Sequence, residues 1–157
     1  MDFLPVILGS DDNAYGMARS FHEEYGIKSI VITKGHLLPT AHSKIIEKKM
    51  VPGFDDIENF VCRLKSLAPE LKERANKLLL IASNENYAEL CIRNRSALER
   101  DYVVPFISEE LMEKVVYKEN FYEMCEEYGL DYPATLIFKK GMDPQMELPF
   151  DFPVVVK

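Results

Sequence analysis

The amino-acid sequence predicts an α/β fold built on an open parallel sheet, with a second unit beginning towards its carboxyl end. Two observations carry this. Short apolar runs alternate with segments of helical period from residue 4 to residue 107, and after residue 112 that rhythm gives way to two helices and two isolated β-prone segments.

The first run, "LPVIL" (4–8), ends at Gly9. After "SDDN", residues Ala14, Met17, Ala18, Phe21 and Tyr25 follow helical spacing, with Asp11, Asp12 or Asn13 as N-cap and Gly26 as the stop. "KSIVIT" (Lys28–Thr33) is a second strand, so the unit implies a parallel pair joined by a right-handed crossover. A weaker strand falls around Lys44–Val51. A helix then starts at Asp55 or Asp56, with Ile57, Phe60, Val61, Leu64, Leu67 and Ala68 on one face up to the Pro69 region. "KLLLIAS" (Lys77–Ser83) is the next strand, and a helix opening at "SNEN" carries Tyr87, Leu90, Cys91, Asn94, Ala97 and Leu98 inward. "YVVPFI" (Tyr102–Ile107) reads as a fifth strand, placed at an end or edge by Pro105. Residues 1–112 are therefore expected to form a Rossmann-like open parallel sheet.

Residues 113–157 read as an incomplete second unit. Ser108 caps a short helix with Leu111, Met112, Val115 and Val116. A second helix begins near Lys118, carries Phe121, Met124, Cys125 and Tyr128 on one face, and stops at Gly129. "TLIFKK" (Thr135–Lys140) and "FPVVVK" (Phe152–Lys157) are strand candidates that could lie side by side. A chain that stops partway along an apolar strand is expected to be a piece of a longer protein.

At 47% hydrophobic and 29% charged residues the composition is that of an ordinary globular chain. The formal charge of -7 and the scatter of basic residues among acids argue against nucleic acid or an anionic membrane as partner. The longest apolar run, "LLLIA", is too short to span a bilayer, and the amino terminus lacks the features of a secretion signal, so a cytoplasmic location is expected. Cys62, Cys91 and Cys125 are odd in number, far apart and on apolar helix sides, which favours three buried free thiols.

Ligands of open α/β sheets sit at the carboxyl ends of strands, here "GSDDNAYG", "ITKGH" and "ASNEN". Gly9, Ser10, Asp11 and Asn13 are the candidate small-ligand residues, because the amides of the following helix start face any anion held there. Helix capping explains the same residues equally well. The spacing of Gly9 and Gly16 is not the dinucleotide fingerprint, and the second strand ends in Thr33 and Lys34 rather than a ribose-binding acid. Asp11 and Asp12 also suggest a receiver domain, but the phospho-acceptor aspartate and the lysine it requires are missing. In "SNEN", Ser83 or Asn84 caps a helix and Glu85 suits its positive end. His22, His36 and His42 have no metal-ligand spacing, and no catalytic nucleophile with a base is recognisable. Lys118 opposes the dipole at its helix start, which fits an anion held between lysine and amides, although Glu119 and Glu123 could offset it alone.

Taken together, "YKENFYEMCEEYGLDYPATLIF" and "FPVVVK" resemble the opening of the ATP-grasp fold, preceded by its small α/β domain. The segment "LPVILGSDDNAYGMARSFHEEYGIKSIVI" looks like the carboxylate-amine ligases of that superfamily related to D-aspartate ligase and the carbamoyl-phosphate synthase large subunit. The resemblance implies a pre-ATP-grasp domain over residues 1–112 and the beginning of an ATP-grasp domain over 113–157. It implies Lys118 and Lys157 as phosphate contacts for ATP, with Mg2+ bound by parts of the family fold that this sequence does not contain. The implied reaction activates a small-molecule carboxylate as an acyl phosphate, which an amine then attacks. The chain alone is not expected to be catalytic. The competing readings are a stand-alone Rossmann-like module for a small anionic ligand and an oligomerisation domain that forms a homodimer.

Overall fold

Four strands, β1 (Phe3–Leu8), β2 (Ser29–Thr33), β3 (Ile46–Met50) and β4 (Lys77–Ala82), form one sheet in the order β3-β2-β1-β4, with every neighbouring pair parallel. This is the Rossmann-like α/β arrangement that the alternation predicts. The computed structural model describes residues 2–35, 37–143 and 147–156, and the chain divides into two compact units, Met1–Glu109 and Glu110–Lys157.

In the first unit, β1 pairs with β4 along its whole length but with β2 only from Val6 onward. Pairing with β2 thus begins one residue past Pro5, whose missing N–H cannot donate to a ladder. Helix α1 (Asp12–Tyr25) covers one face of the sheet, burying Ala14 and Ala18 against Ile7 and Val31. Helix α3 (Ile57–Lys72) contributes Phe60, Leu64, Ala68 and Leu71 to the larger core on the other face, with Val6, Leu8, Ile30, Ile32 and Leu80. Each fully buried leucine there is worth roughly 1.5–3 kcal/mol of apolar transfer. Short α2 (Leu38–Ala41) connects β2 to β3.

Several expectations need correcting. Helix α3 runs through Pro69 for most of a further turn, and its first residue, Ile57, is 71% exposed because it precedes the turn that meets the sheet. The helix opening at "SNEN" breaks at Asn94 into α4 (Glu85–Arg93) and α5 (Arg95–Leu98); the Asn94 side chain donates to Leu90 O at 2.8 Å, competing with a continued helix. The fifth strand reduces to one parallel bridge between Leu79 and Val103. Beyond it Pro105 cannot donate to a ladder, and Arg95 takes the carbonyls of Val104, Phe106 and Ile107. Of the three free cysteines, Cys91 and Cys125 are buried but Cys62 is exposed.

The second unit contains all but the first residue of α6 (Glu109–Val116) and the whole of α7 (Lys118–Glu127). Helix α7 ends in a Schellman pattern: Leu130 N donates to Cys125 O at 2.8 Å and Gly129 N to Glu126 O at 3.2 Å. Gly129 adopts the left-handed φ of 64° that this turn requires. The Tyr132 ring stacks on Tyr122 with centroids 5.1 Å apart. Contrary to expectation, neither Thr135–Lys140 nor Phe152–Val156 forms a strand among the described residues. Strand propensity is realised only through pairing, and no ladder includes these segments; Val155 and Val156 are exposed. Lys157 and His36 lie outside the described residues. Among the described residues no helix is long and apolar enough to cross a membrane.

Candidate functional site at the carboxyl ends of β1 and β4

The strand order reverses between β1 and β4, so the turns that follow these two strands meet at the point where open α/β sheets hold ligands. The turn after β1 supplies Gly9, Ser10, Asp11 and Asn13, and the turn after β4 supplies Ser83 and Asn84. Gly9 N donates to Ile32 O and Ser83 N to Leu8 O, both at 2.9 Å, so the turns grow directly out of the sheet ladder.

Asp11 caps α1, one Oδ accepting from Ala14 N at 2.9 Å while the other accepts from Ser83 Oγ at 3.0 Å. Asn13 Nδ2 donates to Ser83 O at 3.2 Å. Asn84, rather than Ser83, caps α4 by accepting from Tyr87 N at 3.2 Å. Ser10 is buried, its hydroxyl 2.9 Å from that of Thr33, while its carbonyl accepts from Thr40 Oγ1 at 3.1 Å. Of the four predicted loop residues, Ser10, Asp11 and Asn13 therefore all engage their side chains in hydrogen bonds within the protein. Gly9 serves the close approach of the two turns.

Two depressions flank this seam and share Asn84. One, of about 430 Å³, is lined by Asn13, Ser83, Asn84, Glu85 and Asn86. The other, of about 200 Å³, is lined by residues including Gly9, Asp11, Lys34, Leu37 and Tyr87. Lys34 forms an ion pair with Asp55, which holds the Asp55 carboxyl below its ordinary range. Burial, reinforced by the charges of Asp55 and Asp11, pushes the Tyr87 phenol above its ordinary value. The lining offers amide, hydroxyl and carboxylate groups suited to binding a small polar molecule. Its two hydroxyls at the seam are tied to the Thr33 hydroxyl and to the capping carboxylate of Asp11.

The sequence directed attention to all three strand ends, but the partnership of Ser83 with Asp11 and of Lys34 with Asp55 escaped it. Those contacts join residues 72 and 21 positions apart, and no local pattern signals them.

Lys118 is placed separately, in the second unit. It is exposed at the first position of α7, and the preceding N-cap, Tyr117, makes no side-chain capping bond. Glu119 pairs with Lys139, so the acid beside Lys118 is engaged elsewhere. An exposed ammonium beside first-turn amides that no side chain caps suits an anion. Among the described residues no group of three or more His, Cys, Asp or Glu side chains is placed to hold a metal ion.

No protein-family model matches the chain. The sequence is 42% identical over 161 residues to the D-aspartate ligase of Enterococcus faecium (strain Aus0004), a match covering 99% of this chain and 38% of that protein. The chain thus spans less than two fifths of the length of the curated relative it matches. Along essentially its whole length the chain is similar to part of a D-aspartate ligase, in keeping with the resemblance to the ATP-grasp ligases carried by its two lysine-bearing motifs.

Proposed function

We propose that this chain is the amino-terminal part of an ATP-dependent carboxylate-amine ligase of the ATP-grasp type. The observation that carries the reading is the 42% identity to a D-aspartate ligase across 99% of the chain. In this reading residues 1–112 are the pre-ATP-grasp domain, and 113–157 open the ATP-grasp domain. Lys118, exposed beside the uncapped amides of α7, contacts the nucleotide phosphates. Lys157 is its proposed counterpart. The turn from Gly9 to Asn13 forms one wall of the substrate crevice, with Gly9, Ser10 and Asp11 fixing the wall and Asn13 reaching its surface.

The whole ligase would place a carboxylate oxygen on the γ-phosphorus of ATP, releasing ADP. An amine would then attack the acyl carbon and release phosphate, leaving an amide. Positive charge on the lysines lowers the cost of bringing an anionic carboxylate to an anionic phosphoryl group. D-aspartate is the first carboxylate to try, since the relative's name carries it. The test uses carboxylate labelled with 18O and the ligase containing this chain: label should appear in the inorganic phosphate released. Amide formation with unlabelled phosphate would overturn the reading.

A further inference from the structure

The edge strand β3 carries three consecutive charged residues, Glu47, Lys48 and Lys49. Alternation along the strand sends Glu47 and Lys49 to one face, where they pair with Arg74 at 2.8 Å and Glu70 at 2.6 Å. Lys48 goes to the other face. Its register partner is Val31, which is buried with Ile7, Ala14 and Ala18 on the α1 side. The Lys48 Nζ is itself buried and has no hydrogen-bond partner.

Ser29 lies on the same face, two residues before Val31 and in register with Ile46. It is fully buried, and its Oγ also lacks a partner. These are the two orphaned buried side-chain polar atoms among the described residues, and they belong to diagonal neighbours on adjacent strands. With strands about 4.8 Å apart and a rise of about 3.3 Å per residue, such neighbours lie roughly 8 Å apart at Cα, within the reach of a lysine side chain.

Buried polar groups without partners call for a ligand or an ordered water. The ammonium offers three donor hydrogens and a full positive charge, and the hydroxyl offers a fourth donor. A water molecule accepts two hydrogen bonds and leaves the charge uncompensated, whereas a small anion accepts from both groups and neutralises the ammonium. An inward-pointing lysine also discourages strand addition at a sheet edge, which accounts for Lys48 but not for the orphaned serine beside it. We propose that Ser29 and Lys48 form an internal site for a small monovalent anion of chloride size, between β2 and β3 on the α1 face. Ser29 opens β2, so the site is distinct from the crevice at the carboxyl ends of the strands.

The test compares thermal unfolding of the protein in sodium chloride and in sodium gluconate at equal ionic strength. Chloride should raise the midpoint of the wild type by about 2–4 °C, as binding to the folded state alone requires. Lys48→Met should lose that difference, while Lys44→Met, at an exposed lysine, should keep it. The absence of a chloride effect in the wild type, or an equal effect in Lys48→Met, overturns the proposal. Should Lys48→Met fail to fold, wild-type crystals grown in bromide decide the matter. An anomalous peak in contact with Lys48 Nζ and Ser29 Oγ supports the site, and a water or an empty space there overturns it.

Discussion

A β-carbon built on Gly9 would lie 2.0 Å from Ser83 Oγ, so the turns after β1 and β4 approach more closely than any other residue at position 9 would permit. Gly9 also has φ of 109°, a conformation that L-residues rarely adopt. Gly9→Ala should therefore destabilise the protein by about 2–4 kcal/mol. In a Ser83→Ala background the same change should cost less, because the nearest clashing atom is gone. Urea midpoints of the four proteins check this, and equal costs in both backgrounds would mean that the backbone angle alone is responsible.

Asp11 holds two partners at once, the amide of Ala14 and the hydroxyl of Ser83. Asp11→Ala should cost about 1–2 kcal/mol, since it removes a helix cap and leaves a part-buried hydroxyl without its acceptor. Asp11→Asn keeps a capping oxygen and should recover most of that loss. Chemical denaturation separates the two variants. If the asparagine variant is as damaged as the alanine one, the negative charge of Asp11 matters more than its acceptor geometry.

Arg95 substitutes for a missing strand ladder. Its guanidinium donates to the carbonyls of Val104 (2.8 Å), Phe106 and Ile107 (2.9 Å), which the single bridge at Val103 leaves without strand partners. Arg95→Lys replaces a planar fork with a point charge and should loosen this segment. Faster amide exchange over residues 104–107, with β1 and β4 unchanged, is the expected signature.

The core predicts a pH dependence. Burial raises the Cys91 thiol from its ordinary 9.0 to about 12, so the folded state keeps the proton that the unfolded chain releases. The stability this contributes is complete below about pH 9 and is lost as pH rises from there towards 12. Burial also raises the Tyr102 phenol, which donates to Leu64 O at 2.7 Å and adds a loss of the same sign at higher pH. Cys91→Ala should thus be less stable than wild type at pH 8, with the gap narrowing as pH climbs past 9. A gap that stays constant up to pH 10.5 would show that the thiol's ionisation is not linked to folding.

Most of the sheet was legible because β1 and β2 are buried and β4 largely so, whereas the charged edge strand β3 is only half-buried. Runs such as "KSIVIT" and "KLLLIAS" fit no other layer, and the caps at Asp11, Gly26 and Asn84 are set by neighbours within a few residues. Where strand propensity depended on a pairing partner, at residues 102–107, 135–140 and 152–156, local pattern overstated the structure. Cys62 and Ile57 sit at helical positions that period alone assigns inward, yet only the docking of α3 on the sheet decides which edge of its apolar face stays wet. The candidate site was legible as a location, the strand ends. Its wiring, Asp11 to Ser83 and Lys34 to Asp55, is a product of topology.

The placement of Lys118 at the uncapped start of α7 bears most directly on the proposed ligase chemistry. The decisive measurement is the kcat/KM for ATP in carboxylate-dependent ADP release by the ligase containing this chain, compared between wild type and Lys118→Ala. Loss of a phosphate-contacting cation should lower it by about 10²-fold while leaving the unfolding midpoint unchanged. A Lys118→Ala enzyme that retains ATP turnover within about twofold of wild type would contradict the assignment.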